Sequence, residues 1–225
     1  MIVVERLRRW ARDSTGQKRY SPVGMAFHWA MAAVVFFQLW WGWRVGRLPV
    51  GPDKLEGYQV HSQLGVAILV LVLLRGVWRL MIPGPVNDAD KPGWQSTAAH
   101  LTHYVFYALL LLLPLSGWAM WSSMASEQPL SLLGLPWPQL PLQDLPQATR
   151  WSIMQTAETL HFALVIILLM MIVIHAGAAL KHHFVDRDDV LAAMTPFLEP
   201  LPKPRPEEPR HRRKRRPARP EKARG

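Results

Sequence analysis

The sequence predicts an all-α membrane protein, a bundle of four transmembrane helices, and three observations carry that prediction. The first is a set of long apolar blocks without charge. From Tyr20 to Trp43, Gly57 to Leu74, Pro92 to Ser126 and Thr159 to Leu180 there is no Asp, Glu, Lys or Arg. A helix needs about 20 mostly apolar residues to cross the ~30 Å hydrocarbon core, and the four blocks meet or approach that length. The second is the lack of alternation in runs such as LVLVLL and LLLLLPL. A closed β-barrel is the other spanning solution, and its strands alternate apolar and polar residues. The third is the placement of positive charge. Of 26 basic residues, thirteen lie from Lys181 onward, six lie before Gly24, and Arg75, Arg79 and Lys91 sit between the second and third blocks. An even number of spans puts both termini on one side. The positive-inside rule makes that side the cytoplasm.

The elements follow in chain order. Residues 1–20 form a basic cytoplasmic lead-in with amphipathic character. The first helix, about 24–43, ends in Trp40, Trp41 and Trp43, a set that reads as an interfacial aromatic belt. It is too long for the core of a signal peptide and no small-x-small site follows it, so it reads as a retained helix. The second helix runs over about 61–80. The third, about 100–121, carries Pro114, which is expected to distort it locally. The stretch 122–156 is rich in Pro and Trp and reads as an outer loop lying along the membrane surface. The fourth helix covers about 157–180. These helices place a transmembrane domain over 21–195. From Pro196 to Gly225 the Pro-rich, charged tail cannot pack a core and reads as disordered. Its HRRKRR run fits either a solvated, topology-setting tail or a contact with anionic membrane lipid.

Composition narrows the chemistry. The net charge of +10 is accounted for by topology, so no specific nucleic-acid partner is expected. There is no cysteine. That excludes disulfides, thiolate-held zinc or iron–sulfur clusters, and covalent haem attachment through CxxCH.

Histidine is the unusual residue. Eight of the nine lie within or at the ends of the four spans, where ionisable groups are costly and mark function. The stretch HFALVIILLMMIVIH, residues 161–175, opens and closes on imidazole. Fourteen residues of helix span about 21 Å and return to within about 40° of the same face. His161 and His175 therefore need separate partners at two depths. His61, at the outer start of the second helix, matches the depth of His161. His28, at the inner start of the first, matches His175. Two opposed imidazole pairs suit the axial positions of two b haems. Each ring gives one nitrogen to iron and its other N–H to an acceptor. Polar bonding between helices is the plainer alternative. His100 and His103 begin the third helix on the inner side. They can compete with His28 for His175, line a proton or quinone path, or bond at the interface. His182 follows the fourth helix and can meet quinone or a haem propionate. Arg75 and Arg79 either snorkel to the interface or pair with propionates.

These residues resemble the bacterial cytochrome b561 family. The matching stretches are FHW at 27–29, HSQLGVAILVLVLLRGVWRL at 61–80, AHLTHYVFYALLLLLPLSGW at 99–118, the pair His161 and His175, and AALKHHF at 178–184. The resemblance covers about residues 18–195. It implies two haem b groups with axial ligands at His28, His61, His161 and His175. It also implies electron transfer between the membrane faces, with ubiquinone and a small outer-face electron donor or partner protein as partners. Some members of the family look like quinone-linked oxidoreductases with superoxide as the one-electron partner. Arg44, Arg47, Lys54 and Arg150 would give the outer face a positive field for such an anion, diluted by Asp53, Glu56, Glu127 and Asp144. Two alternatives stay open: a cytochrome b subunit of a larger hydrogenase or dehydrogenase complex, and a haem-free transporter or relay bundle using His and Arg.

Overall fold

The computed structural model describes residues 2–13, 19–84, 93–124 and 129–199. The HRRKRR run, Lys91 and Glu127 lie outside the described residues. A short amphipathic helix α1 (Ile2–Asp13) precedes four long ones: α2 (Pro22–Gly46), α3 (Pro52–Met81), α4 (Gly93–Ser123) and α5 (Gln147–Lys181). All four are long and apolar enough to cross a membrane. The chain is thus a multi-pass, all-α membrane protein, as its apolar blocks predict.

Local chemistry sets the helix starts. Ser21 caps α2 by accepting a hydrogen bond from Gly24 N, and Pro22 follows as the first helical residue. Proline suits that position because its missing N–H would have no helical partner. Pro52 opens α3 in the same way. α3 and α5 outrun the apolar blocks that announce them. At 30 residues for α3 and 35 for α5, they are about 45 and 52 Å long, against a hydrocarbon core of ~30 Å. Charged residues such as Asp53 and Lys54 join the first turn of α3 outside the apolar block, where polarity does not interrupt the backbone ladder. α4 continues through Pro114 as one helix.

Consecutive helices are neighbours, with α2 on α3, α3 on α4 and α4 on α5. One apolar layer draws on all four: Val35 from α2, Ile68 from α3, Leu109 and Leu113 from α4, and Leu164 and Leu168 from α5. Lipid is as apolar as leucine, so this layer is held by close packing rather than by exclusion of water. Close approach is clearest between α2 and α3. A Cβ on Gly57 would stand 2.8 Å from Val45 Cγ2, and Trp41 Nε1 donates to Gly57 O at 3.0 Å.

The two ends of the bundle differ. At one end the stretch expected to lie along the membrane surface folds back as an antiparallel hairpin, β1 (Ser131–Leu132) and β2 (Leu135–Pro136). Its turn residues Leu133 and Gly134 have φ of 52° and 80°, the left-handed pair that a two-residue hairpin turn requires. Leu130 inserts against Trp121 and Val66, and Gln63 Nε2 donates to Ser131 Oγ at 3.1 Å. At the other end the chain's flanks meet. After α5 comes a π-helical turn (His182–Asp186) and then α6 (Val190–Met194). Tyr20 N donates to Ala193 O at 3.0 Å, Trp29 Nε1 to Met194 O at 2.9 Å and Arg19 Nη2 to Thr195 O at 2.6 Å. Both flanks therefore lie at one end of the bundle, as an even number of spans demands.

The α2–α3 contact yields a prediction. Gly57→Val should overpack against Val45 and lower stability by about 1–3 kcal/mol. Thermal unfolding of the detergent-solubilised protein followed by circular dichroism measures this, and an unchanged midpoint would show that α2 and α3 have room to separate.

Candidate functional site

The midplane layer separates two groups of imidazoles. Toward the hairpin end, His61 of α3 and His161 of α5 face each other with ring centroids 6.2 Å apart and planes at 69°. An imidazole nitrogen binds a transition metal at about 2 Å. Adding the short distance from nitrogen to ring centre on both sides, two rings sharing one metal have centroids about 6 Å apart. The pair has the spacing of axial ligands on one iron.

The hydrogen bonds of His161 support that chemistry. Its Nδ1 lies 3.1 Å from Leu113 O and 2.9 Å from Ser116 Oγ, and Ser116 Oγ itself donates to Leu113 O at 2.8 Å. A carbonyl only accepts, so Nδ1 carries the proton in this arrangement. Nε2 is then the nitrogen with the free lone pair, the form that binds a metal. His61 is held differently. Its Nδ1 is buried without a hydrogen-bond partner, and its ring lies on Gly42 of α2, where a Cβ would come within 2.8 Å of Cε1. Gly42 leaves the room that the ring occupies. Gln38 Nε2 donates to His61 O at 2.6 Å, tying α2 to the same residue. Gly65, one turn beyond His61, meets only Gln38 at ordinary distance.

Toward the flank end three imidazoles gather. His175 of α5 lies 6.2 Å from His28 of α2 and 6.4 Å from His103 of α4, with Phe106 edge-on at 5.3 Å. Both neighbours have the separation of a shared metal. Arg75 Nη2 stands 3.5 Å from His28 Nδ1, at the outer limit of a hydrogen bond, and Arg75 and Arg79 both lie within electrostatic reach of His103. Arg79 also covers the ring of Tyr20 at 5.1 Å. Among the described residues no group of three or more His, Asp or Glu side chains is placed to hold one ion. Pairs of imidazoles are what this interior offers.

The remaining sequence candidates sit apart from the pairs. His100 is on an exposed part of α4. His182 Nδ1 is engaged by Asp188 at 2.8 Å and Asp186 at 3.1 Å, beside the Lys181–Asp186 ion pair at 2.7 Å. A separate cavity of 690 Å³ opens between α2 and the segment that follows α6, lined by residues that include Arg19, Met25, Ala26, Trp29 and Phe197. Trp29 forms its wall and packs edge-on to His28 at 5.3 Å. The cavity, Ser116 and Gly42 were absent from the sequence reading. The lone hydroxyl in LLLLLPLSGW and the small residue in WWGW were the signals for the last two.

A family model described as prokaryotic cytochrome b561 matches residues 19–197. Cytochrome b561 homolog 2 of Escherichia coli K12 is 29% identical over 178 residues, covering 79% of this chain and 91% of the relative. The probable superoxide oxidase CybB of Yersinia pestis is 28% identical over 182 residues, covering 80% and 97%. Cytochrome b562 of Cereibacter sphaeroides is 26% identical over 186 residues, covering 80% and 97%.

Gly42 supplies the test of the hairpin-end pair. Gly42→Val should displace the His61 ring and lower the haem bound per chain, whereas Gly46→Val, with nothing within 4 Å of its Cβ, should leave it unchanged. Haem per chain by pyridine haemochrome decides this, and equal loss in both variants would mean that Gly42 has no special relation to His61.

Proposed function

Because the chain belongs to the prokaryotic cytochrome b561 family, we propose that it carries single electrons through two b haems between a one-electron partner at the hairpin end and ubiquinone at the flank end. Membership makes it a membrane cytochrome b of electron transport, and the haem b binding that the family implies speaks against the haem-free relay. The observation that carries the finer reading is the pairing of imidazoles at two depths, each pair spaced for one iron. His61 and His161 hold one haem, and His28 and His175 the other. A haem held by two such histidines would supply electron transfer rather than oxygen binding.

The protein's own residues do the rest. Leu113 O and Ser116 hold the proton of His161 on Nδ1, which keeps Nε2 basic and aimed inward. Arg75 and Arg79 supply cations for propionates at the flank end. The midplane layer keeps water out between the two sites. Charge bias supports a cytoplasmic flank end, and family membership supports the bacterial inner membrane. The cavity beside Trp29 is of a size typical of small-molecule sites. It supports a quinone contact next to His28, with His100, His103 and His182 as proton-path residues at the same end. Arg44, Arg47, Lys54 and Arg150 lie toward the hairpin end. With a relative named a probable superoxide oxidase, they support a small anion such as superoxide as the outer partner.

An oxidised-minus-reduced optical spectrum with haem counted per chain tests the reading. The wild type should hold two b haems. His61→Ala and His161→Ala should each remove the same one, and His175→Ala the other. His28→Ala and His103→Ala then compete directly: the variant that loses the second haem names the partner of His175. One haem in the wild type, or retention of both in His161→Ala, would end the two-site reading.

Quinone contact has its own test. Trp29→Ala should slow quinone-linked reoxidation about ten-fold or more, as expected for loss of an aromatic wall worth over 1.4 kcal/mol, with both haems retained. An unchanged rate would move the quinone away from this cavity.

A further inference from the structure

We infer that α1 is an interfacial anchor that docks on anionic phospholipid headgroups at the flank end of the bundle. The family match begins at residue 19, so α1 lies outside the matched region. Its sequence, IVVERLRRWARD, separates into two faces at about 100° per residue. Val3, Val4, Leu7, Trp10 and Ala11 fall on one arc. Glu5, Arg6, Arg8, Arg9 and Asp13 fall on the other.

The structure divides the apolar arc in two. One edge packs on the protein: Ala11 is buried, and Val4 and Leu7 are half-buried. Arg8 Nε donates to Met81 O at 2.7 Å, which ties α1 to the C-terminus of α3. The other edge is left open, with Val3 70% and Trp10 45% exposed. Arg6 adjoins that open edge on the helical wheel, and Arg6 and Arg9 are both exposed. A helix pinned to the end of a spanning helix has its free apolar edge at the boundary of hydrocarbon and headgroups. A short amphipathic helix with Arg on its polar face and Trp on its apolar face is the kind that lies in that plane. Charge selects the lipid. Three exposed arginines outnumber Glu5 and Asp13, so an anionic leaflet is favoured over a neutral one.

The chain has no cysteine, so Val3→Cys supplies a single labelling site in the full-length protein. The labelled protein goes into nanodiscs of phosphatidylcholine with or without phosphatidylglycerol. In the anionic discs a fluorophore at position 3 should be quenched by nitroxide-labelled acyl chains. The amides of α1 should exchange at least about ten-fold more slowly than in neutral discs, since each arginine near an anionic surface adds of order a factor of five. Arg6→Glu with Arg9→Glu should abolish that difference while the haem spectrum stays unchanged. Equal exchange in both lipids would overturn the proposal. So would a fluorophore open to aqueous iodide and closed to the nitroxide lipids, which would leave α1 in water, free for a protein partner.

Discussion

An imidazole inside hydrocarbon must have a partner, and the interior of this bundle is arranged around that requirement. Each long helix brings at least one histidine, and the helices pack so that rings at equal depth face each other. The alternative, an unpaired polar ring against lipid, would cost several kcal/mol. The apolar layer of Val35, Ile68, Leu109, Leu113, Leu164 and Leu168 is the complement of this arrangement. It lies about one to two turns from each imidazole, so the same helical phase that turns histidine inward also turns these side chains inward.

Small residues set how closely the helices approach. Without a hydrophobic drive between spans, association depends on packing and on bonds across helices. Gly57 admits Val45, and Gly42 admits the ring of His61. Trp41 and Gln38 each reach from α2 to a backbone carbonyl of α3. The α2–α3 contact is therefore both a packing interface and one wall of the site.

The two ends carry different chemistry. At the hairpin end Leu130 and Trp121, each 1% exposed, pack with Val66 in a small apolar cluster. The flank end is open and cationic, with a cavity at Trp29, guanidinium groups near His28 and His103, and α6 clasped to the start of α2. This asymmetry gives the bundle a direction. Under the proposed function, a small hydrophilic partner and a membrane-soluble one would meet different surfaces.

The sequence by itself determined the fold class, the number of spans and the helical face shared by His161 and His175. Each of these follows from a periodic or cumulative property of one chain segment: apolar length, charge placement, or the 14-residue return of a helix to its own face. Tertiary structure decided what depends on approach between segments. His103 and His28 are 75 residues apart in the chain, and only packing brings both within reach of His175. Ser116 holds His161 because α4 and α5 lie side by side, and Gly42 matters because α3 crosses it at His61. The stretch 129–146 has Pro and Trp but no period, and its hairpin is positioned by Leu130 packing on Val66 and Trp121. Spacing along one helix is written in the chain. The distance between two helices is a property of every side chain between them.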